Sequence, residues 1–183
     1  MSDHPGAGNS CGTCTVCCLA LRIEEFGKQA GVMCQHCTGS GCGIYEARYE
    51  VCQGFLCGWR VVPKLGEAWR PDRSGVLILL VEKKDIPEEH RAAGDGVQFV
   101  ILGGEKAIRR PGFAEYVSTL VSREVAVYMS ADSPKTLINK YLRVLVAQKN
   151  QTGLVEMLLH IYRQHVGLRE INQWIPLPWV EMP

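Results

Sequence analysis

Apolar positions follow two different regimes along the chain. From Pro63 onward they gather into runs: residues 74–82 (SGVLILLVE), 96–104 (GVQFVILGG) and 123–130 (REVAVYMS) are short and β-branched, the first two bounded by glycine, and they predict three strands. Between the second and third, residues 111–123 place Phe113, Tyr116, Val117 and Leu120 on one helical face, which predicts a strand-helix-strand crossover. The stretch ADSPKTLINKYLRVLVAQKN predicts a helix with Asp132 or Ser133 as N-cap, Pro134 at the first helical position, and Leu137, Ile138, Tyr141, Leu142 and Leu145 on one side. Gly153 predicts its interruption, and LVEMLLHIYRQHV a further helix carrying Leu154, Leu158, Ile161 and Tyr162. Both helices are expected to pack on the sheet. The tail INQWIPLPWVEMP is too rich in proline for a helix, yet its Trp174, Ile175, Leu177 and Trp179 are too apolar to leave in water, so an extended strap is expected there. Residues 61–183 thus read as a small α/β domain with about three strands and three helices.

Residues 11–60 are different. Their large apolar residues are little more than Leu19, Leu21, Ile23, Phe26, Val32, Met33, Ile44, Tyr45, Tyr49, Val51, Phe55, Leu56 and Trp59, too few for a core that stands without staples or metal. Structural zinc contributes on the order of 10 kcal/mol or more to small thiolate-rich domains, so folding here is expected to depend on metal. The leading MSDHPGAGNS is polar and rich in glycine and proline. It lacks the basic and apolar segments of a secretory signal and reads as a disordered leader over residues 1–10.

Composition narrows the function classes. The chain has 183 residues, 46% apolar and with no run long enough to cross a bilayer, which reads as a soluble, cytoplasmic protein. Lys plus Arg is 20 and Asp plus Glu is 19, a formal charge of +1. So balanced a chain has no field to gather nucleic acid or anionic membrane, and neither is expected as a partner. All nine cysteines lie between Cys11 and Cys57. In a reducing compartment such density marks metal binding or redox chemistry more often than a disulfide framework.

The candidate metal ligands are Cys11, Cys14, Cys17, Cys18, Cys34, Cys37, Cys42, Cys52 and Cys57. C-x2-C lets two sulfurs grip one ion from a tight turn. Cys11-x2-Cys14 and Cys34-x2-Cys37 together have the spacing of a two-knuckle, four-thiolate zinc site, which leaves Cys17, Cys18, Cys42, Cys52 and Cys57 for a second. Equally, C-x2-C-x2-C resembles the ligand run of a ferredoxin-type 4Fe–4S loop. The spacing leaves zinc and iron both open. Adjacent Cys17 and Cys18 project differently in most backbone conformations, so they are expected to serve different ions or to have one lining the site. Two four-thiolate zinc sites would carry about −4 net charge, which Arg22, Arg48 and Arg60 could offset in part.

Rival readings are a disulfide framework, a thiol redox sensor with exposed reactive sulfurs, and His36 of CQHC replacing one sulfur. His160 and His165 do not share the face a metal-binding helical pair needs and read as packing or surface residues. GSGCG (39–43) and GGEK (103–106) superficially resemble phosphate loops, but neither completes GxxxxGK(S/T) and neither is expected between strand and helix. Neither GxSxG nor HExxH occurs, so the sequence names no catalytic residue.

CGTCTVCC, followed by GCGIYEARYEVCQGFLCGW, resembles the two signatures of the CxxCxxCC, or YkgJ-like, cysteine-cluster proteins, the second of the form C-x-I-Y-x-x-R-P-x-x-C-x-x-(F/Y)-x-C. These are described as zinc- or iron-chelating domains, and the resemblance covers roughly residues 11–60. It implies Cys11, Cys14, Cys17, Cys18, Cys34, Cys42, Cys52 and Cys57 as ligands, with Cys37 additional. It also implies Ile44 and Tyr45 beneath the cluster, Arg48 bonded to thiolate or carbonyl, and Phe55 and Trp59 closing the site from water. Arg48-Tyr49 stands where the family has Arg-Pro, which loses a fixed φ but keeps the cation. A similar signature occurs in FliB-like flagellin lysine methylases. The expectation is a metal-chelating binding or regulatory module docked on the α/β domain. The alternative is an iron–sulfur protein of electron transfer or protein modification.

Overall fold

The computed structural model describes residues 9–63, 65–131 and 134–171. The expected leader up to residue 8 and the expected strap from residue 172 lie outside the described residues. The chain divides between Arg73 and Ser74 into two compact units.

In the first unit the elements are short because no apolar run is long enough to extend them. Helices α1 (Val16–Ala20), α2 (Glu50–Gly54), α3 (Gly58–Val61) and α4 (Pro71–Ser74) alternate with single 3-10 turns at Glu24–Phe26, Tyr45–Ala47 and Glu67–Trp69. Strand pairing among the described residues of this unit is confined to two isolated bridges, Ile23 with Lys28 and Cys37 with Cys42. The buried apolar residues are Ile23, Cys34, Cys57, Trp59 and Leu65, so two of five are themselves cysteines. Asn9 closes the base of this core. Its Nδ2 donates to the carbonyls of Trp59 (2.8 Å) and Leu65 (3.1 Å), and its own carbonyl accepts from Arg60 Nε at 2.9 Å.

The second unit is built on a four-stranded sheet in the order β1-β2-β3-β4, with β1 Val76–Val81, β2 Gly96–Ile101, β3 Val127–Ser130 and β4 Thr136–Leu137. β1 and β2 pair antiparallel from Val76↔Ile101 to Val81↔Gly96, whereas β2 and β3 run parallel from Val97↔Val127. The parallel pair follows from the crossover that the sequence predicts. α5 (Glu105–Arg109) and α6 (Phe113–Ser122) connect the two strands. Every residue of β2 is buried, and Phe99 at its centre meets Phe113 edge-on at 5.3 Å between ring centroids. Gly75 and Gly103 permit the close approach that opens β1 and closes β2. The Gly75 carbonyl accepts from both Leu102 N and Gly103 N at 2.8 Å, and Gly75 has φ +67°.

The expected element numbers, two element boundaries and the packing of one helix are corrected here. The sheet has four strands, and the described helices are more numerous than three. The helix expected from Pro134 begins instead at Asn139 (α7, Asn139–Ala147), because Thr136 and Leu137 pair with Met129 and Tyr128 as β4. Buried Asn139 fixes that start: its Oδ1 accepts from Val127 N and its Nδ2 donates to Val125 O, both at 2.8 Å. The interruption before α8 (Gln151–Ile171) falls at Lys149, with φ +54°, and at Asn150, whose Oδ1 accepts from Gly153 N at 2.9 Å. Gly153 is therefore inside the first turn, where a Cβ would stand 2.7 Å from the capping side chain of Asn150. α8 packs on α5, α6, α7 and β3, while α7 packs chiefly on α6 and α8 rather than on the sheet. No helix among the described residues is long and apolar enough to cross a membrane.

Candidate metal centre

The cysteine loops are held by their own backbone bonds. Cys14 N donates to Cys11 O at 3.0 Å, closing the first C-x2-C turn, and Gly12 within it has φ +53°, a conformation glycine adopts without penalty. α1 then carries Cys17 and Cys18. Cys34 N donates to Cys18 O at 2.9 Å, which ties the second cysteine segment to the first, and Cys37 N donates to Cys34 O at 3.0 Å. The Cys37–Cys42 bridge folds residues 37–42 into a tight reversal, α2 brings Cys52, and Cys57 precedes α3.

These segments surround one cavity of about 90 Å³, lined by Cys11, Cys14, Cys17, Cys18, Cys34, Cys42 and Cys52 together with Ile23, His36, Tyr45, Arg48 and Tyr49. One water needs ~10–15 Å³ of such space, so the cavity has room for more than a packing defect would leave. Cys37 and Cys57 are not among the lining residues. All nine cysteines are free thiols, with Cys34 and Cys57 buried and the others half-buried. As they stand, no three His, Cys, Asp or Glu side chains among the described residues are grouped so as to hold one metal ion.

Burial dominates the thiol chemistry. It pushes the Cys17 thiol up to about 11, with the neighbouring Cys11 and Cys14 sulfurs adding to the effect. Cys18 is raised further, by burial and then by Cys17, Cys37 and Cys42. Cys52 is raised by burial, then by Cys34 and Cys42. Cys57 is raised by burial, against the opposing amides of Arg60 and Trp59, and Cys14 by burial against the amides of Val16 and Asp72. Without a cation these sulfurs are protonated, and a thiophilic metal would displace the protons.

His36 lies on the cavity wall but is engaged with aromatic neighbours. Its Nε2 is 3.3 Å from the Tyr49 hydroxyl, and its ring packs against Phe26 and Tyr49, each at 5.9 Å. Arg48 stacks on Tyr45 with the guanidinium carbon 3.8 Å from the ring centroid, and its Nε donates to the Tyr45 carbonyl at 2.8 Å. Tyr45 is exposed at the rim rather than beneath the sulfurs, while Trp59 is fully buried, its indole N–H donating to Gly66 O. Arg22 points to solvent beside Glu24, and Arg60 is buried and turned toward Asn9.

Three residues that sequence spacing does not single out stand against the sulfurs. Lys28 is 5% exposed. Its ammonium donates to the carbonyls of Leu19 (3.2 Å), Leu21 and Gln29 (3.1 Å). Burial lowers its pKa, and the nearby thiols of Cys34, Cys18, Cys52 and Cys17 oppose that shift. Arg70 grips Asp72 through two bonds of 2.7 and 2.9 Å and reaches Thr13 Oγ1 at 3.3 Å. That guanidinium holds the Asp72 carboxyl below its usual range, and the Cys14 thiol also bonds to the carboxylate.

In the second unit, His165 is buried and His160 is exposed beside Gln164. Gly103–Gly104 does lie between a strand, β2, and a helix, α5, contrary to expectation. The phosphate-loop motif is still incomplete, and Glu105 at the start of α5 is occupied by Arg163 at 2.7 Å. No family model, no curated protein and no solved structure matches this chain.

Proposed function

We propose that residues 9–73 are a thiolate metal-binding unit, taking zinc or iron through its cysteines, and that the protein acts as a binding or regulatory module. The observation that carries this reading is the set of seven cysteines, contributed by four separate chain segments, around a single cavity. Unselected cysteines would be scattered as small apolar residues through both units. A core of Ile23, Cys34, Cys57, Trp59 and Leu65 is also too small to hold a unit of this size unaided.

The donor set fits a thiophilic ion. The cavity wall carries sulfur without a carboxylate among its lining residues, and soft thiolates select zinc, Cu(I) and iron–sulfur centres over magnesium or calcium. Because the sulfurs line the space without converging, loading includes a turn of the cysteine side chains toward the ion. A bound metal supplies the cross-links that the short helices lack, and its coordination energy becomes folding energy. This reading places the chain beside the CxxCxxCC cysteine-cluster proteins whose signatures it resembles.

The test is elemental analysis of the full chain purified without oxygen, with zinc, iron and inorganic sulfide each measured per chain. Colourless protein with stoichiometric zinc, or brown protein with iron and sulfide, supports the reading and tells the two metals apart. Metal-free protein whose nine cysteines all alkylate without loss of fold overturns it.

A further inference from the structure

Backbone register sets Cys37 and Cys42 face to face. They stand opposite each other in an antiparallel bridge, on a hairpin that turns at Gly39 and Ser40. Gly39 has φ +84°, the left-handed value that glycine supplies at the first position of such a turn. Two ladder bonds bracket the pair: Thr38 N donates to Gly41 O at 3.0 Å, and Gly43 N donates to His36 O at 2.8 Å. Thr38 Oγ1 donates to Gly41 O as well, at 3.2 Å. Cys37 and Cys42 therefore occupy the non-hydrogen-bonded position between those bonds. Opposed Cα atoms there lie about 4.5 Å apart, and their side chains leave the ladder on one face. A disulfide spans Cα separations of roughly 4.4–6.8 Å. No other two cysteines among the described residues face each other across paired strands.

From this register we infer that Cys37 and Cys42 close a reversible disulfide when the protein meets a peroxide, and that closure withdraws the Cys42 sulfur from the cavity. Cys42 lines the cavity and Cys37 does not, so the bond ties a wall sulfur to a partner outside the wall. Both thiols are free and half-buried, and residues 38–40 beside them are exposed. A molecule as small as hydrogen peroxide reaches them.

One peroxide is used for each bond. One of the two sulfurs, as thiolate, attacks the O–O bond and becomes a sulfenic acid, releasing hydroxide. The opposed thiol then attacks that sulfur, forms the S–S bond and expels the oxygen as water. Each sulfur has given up one electron, and the two electrons have reduced the peroxide. A dithiol reverses the bond by exchange. The expected loss of metal rests on the metal-binding reading above, since an ion held in part by Cys42 then lacks a ligand; the bond itself rests on the hairpin alone.

The experiment is treatment of the zinc-loaded full chain with stoichiometric hydrogen peroxide. Disulfides are located by peptide mass mapping without reduction, and freed zinc is read with a chromogenic chelator. The first bond is expected between Cys37 and Cys42, with zinc released in step and both changes reversed by a dithiol. Cys37→Ser should lose the bond and keep its zinc at the same dose. Cys34 is the rival partner, because Cys37 N also bonds to Cys34 O at 3.0 Å in a C-x2-C turn. A first bond between Cys34 and Cys37, or bonds scattered among the nine cysteines, overturns the inference. Zinc release from Cys37→Ser equal to that from the wild type overturns the link between bond and metal. The wild-type map decides even where the variant fails to fold. A chain that takes up neither zinc nor iron overturns the metal reading instead, and its own peroxide map still decides the disulfide.

Discussion

Replacing Lys28 by Met removes an ammonium while keeping the length of the buried stem. Three carbonyls lose a donor, but not equally. Leu19 O retains Gly31 N at 2.9 Å, and Gln29 O retains Val32 N at 3.3 Å. Leu21 O has no second protein donor among the described residues. One newly unsatisfied carbonyl costs ~1–3 kcal/mol. The change also relieves the burial of a charge, which burial already disfavours in Lys28. The net loss is therefore placed at about 1–2 kcal/mol, a rise of ~10-fold in the local opening equilibrium. Hydrogen exchange of peptides covering residues 16–35 in the full chain reads this directly. Exchange should quicken there and remain unchanged across residues 96–130, and zinc affinity should fall by about 10-fold as the thiolates lose a neighbouring cation. Arg22→Met, which removes an exposed cation paired only with Glu24, should do neither. Exchange within about twofold of wild type, together with unaltered zinc affinity, would refute the role given to Lys28.

Three outcomes are expected in the second unit. Asn139→Ala leaves Val127 N and Val125 O without their side-chain partner and should cost about 2–4 kcal/mol in chemical denaturation. Gly75→Ala forces a Cβ to 2.7 Å from the Gly103 backbone at φ +67°. It should cost at least ~2 kcal/mol, seen as a lowered denaturation midpoint or loss of folded protein. Burial holds the pKa of His165 below its usual 6.5, so the unfolded chain binds the proton more readily than the folded one. The stability this contributes is full above about pH 6.5 and declines as pH falls toward the folded value. Denaturation midpoints measured from pH 7.5 to 5 should fall in the wild type and fall less steeply in His165→Leu.

What the sequence discloses follows from where each signal is local. β1, β2 and β3 are legible because β-branched runs between turns have few other conformations, and α6 because Phe113 and Val117 share a helical face. β4 is hidden because two residues after a proline imitate a helix start, and only pairing with β3 decides otherwise. Asn150 carries a legible signal, since an asparagine just before a helical run is a strong N-cap whose side chain accepts from the amide three residues on. The cysteines announce themselves by spacing, yet spacing joins Cys14 to Cys34 and Cys37, whereas the folded chain sets Cys57 beside Cys11 and Cys14. Lys28, Arg70 and Asp72 have no motif at all. Lys28 reaches the sulfurs through the reversal that bridges Ile23 and Lys28, and the other two through tertiary approach to residues 13 and 14.

The central claim is that the thiols of residues 11–57 ligate metal, and X-ray absorption at the edge of the metal that co-purifies with the full chain tests it most directly. The account predicts stoichiometric zinc or iron with a first shell of sulfur alone, at about 2.3 Å for zinc. A first shell of nitrogen and oxygen, or protein that holds neither metal after anaerobic purification with both supplied, would contradict it.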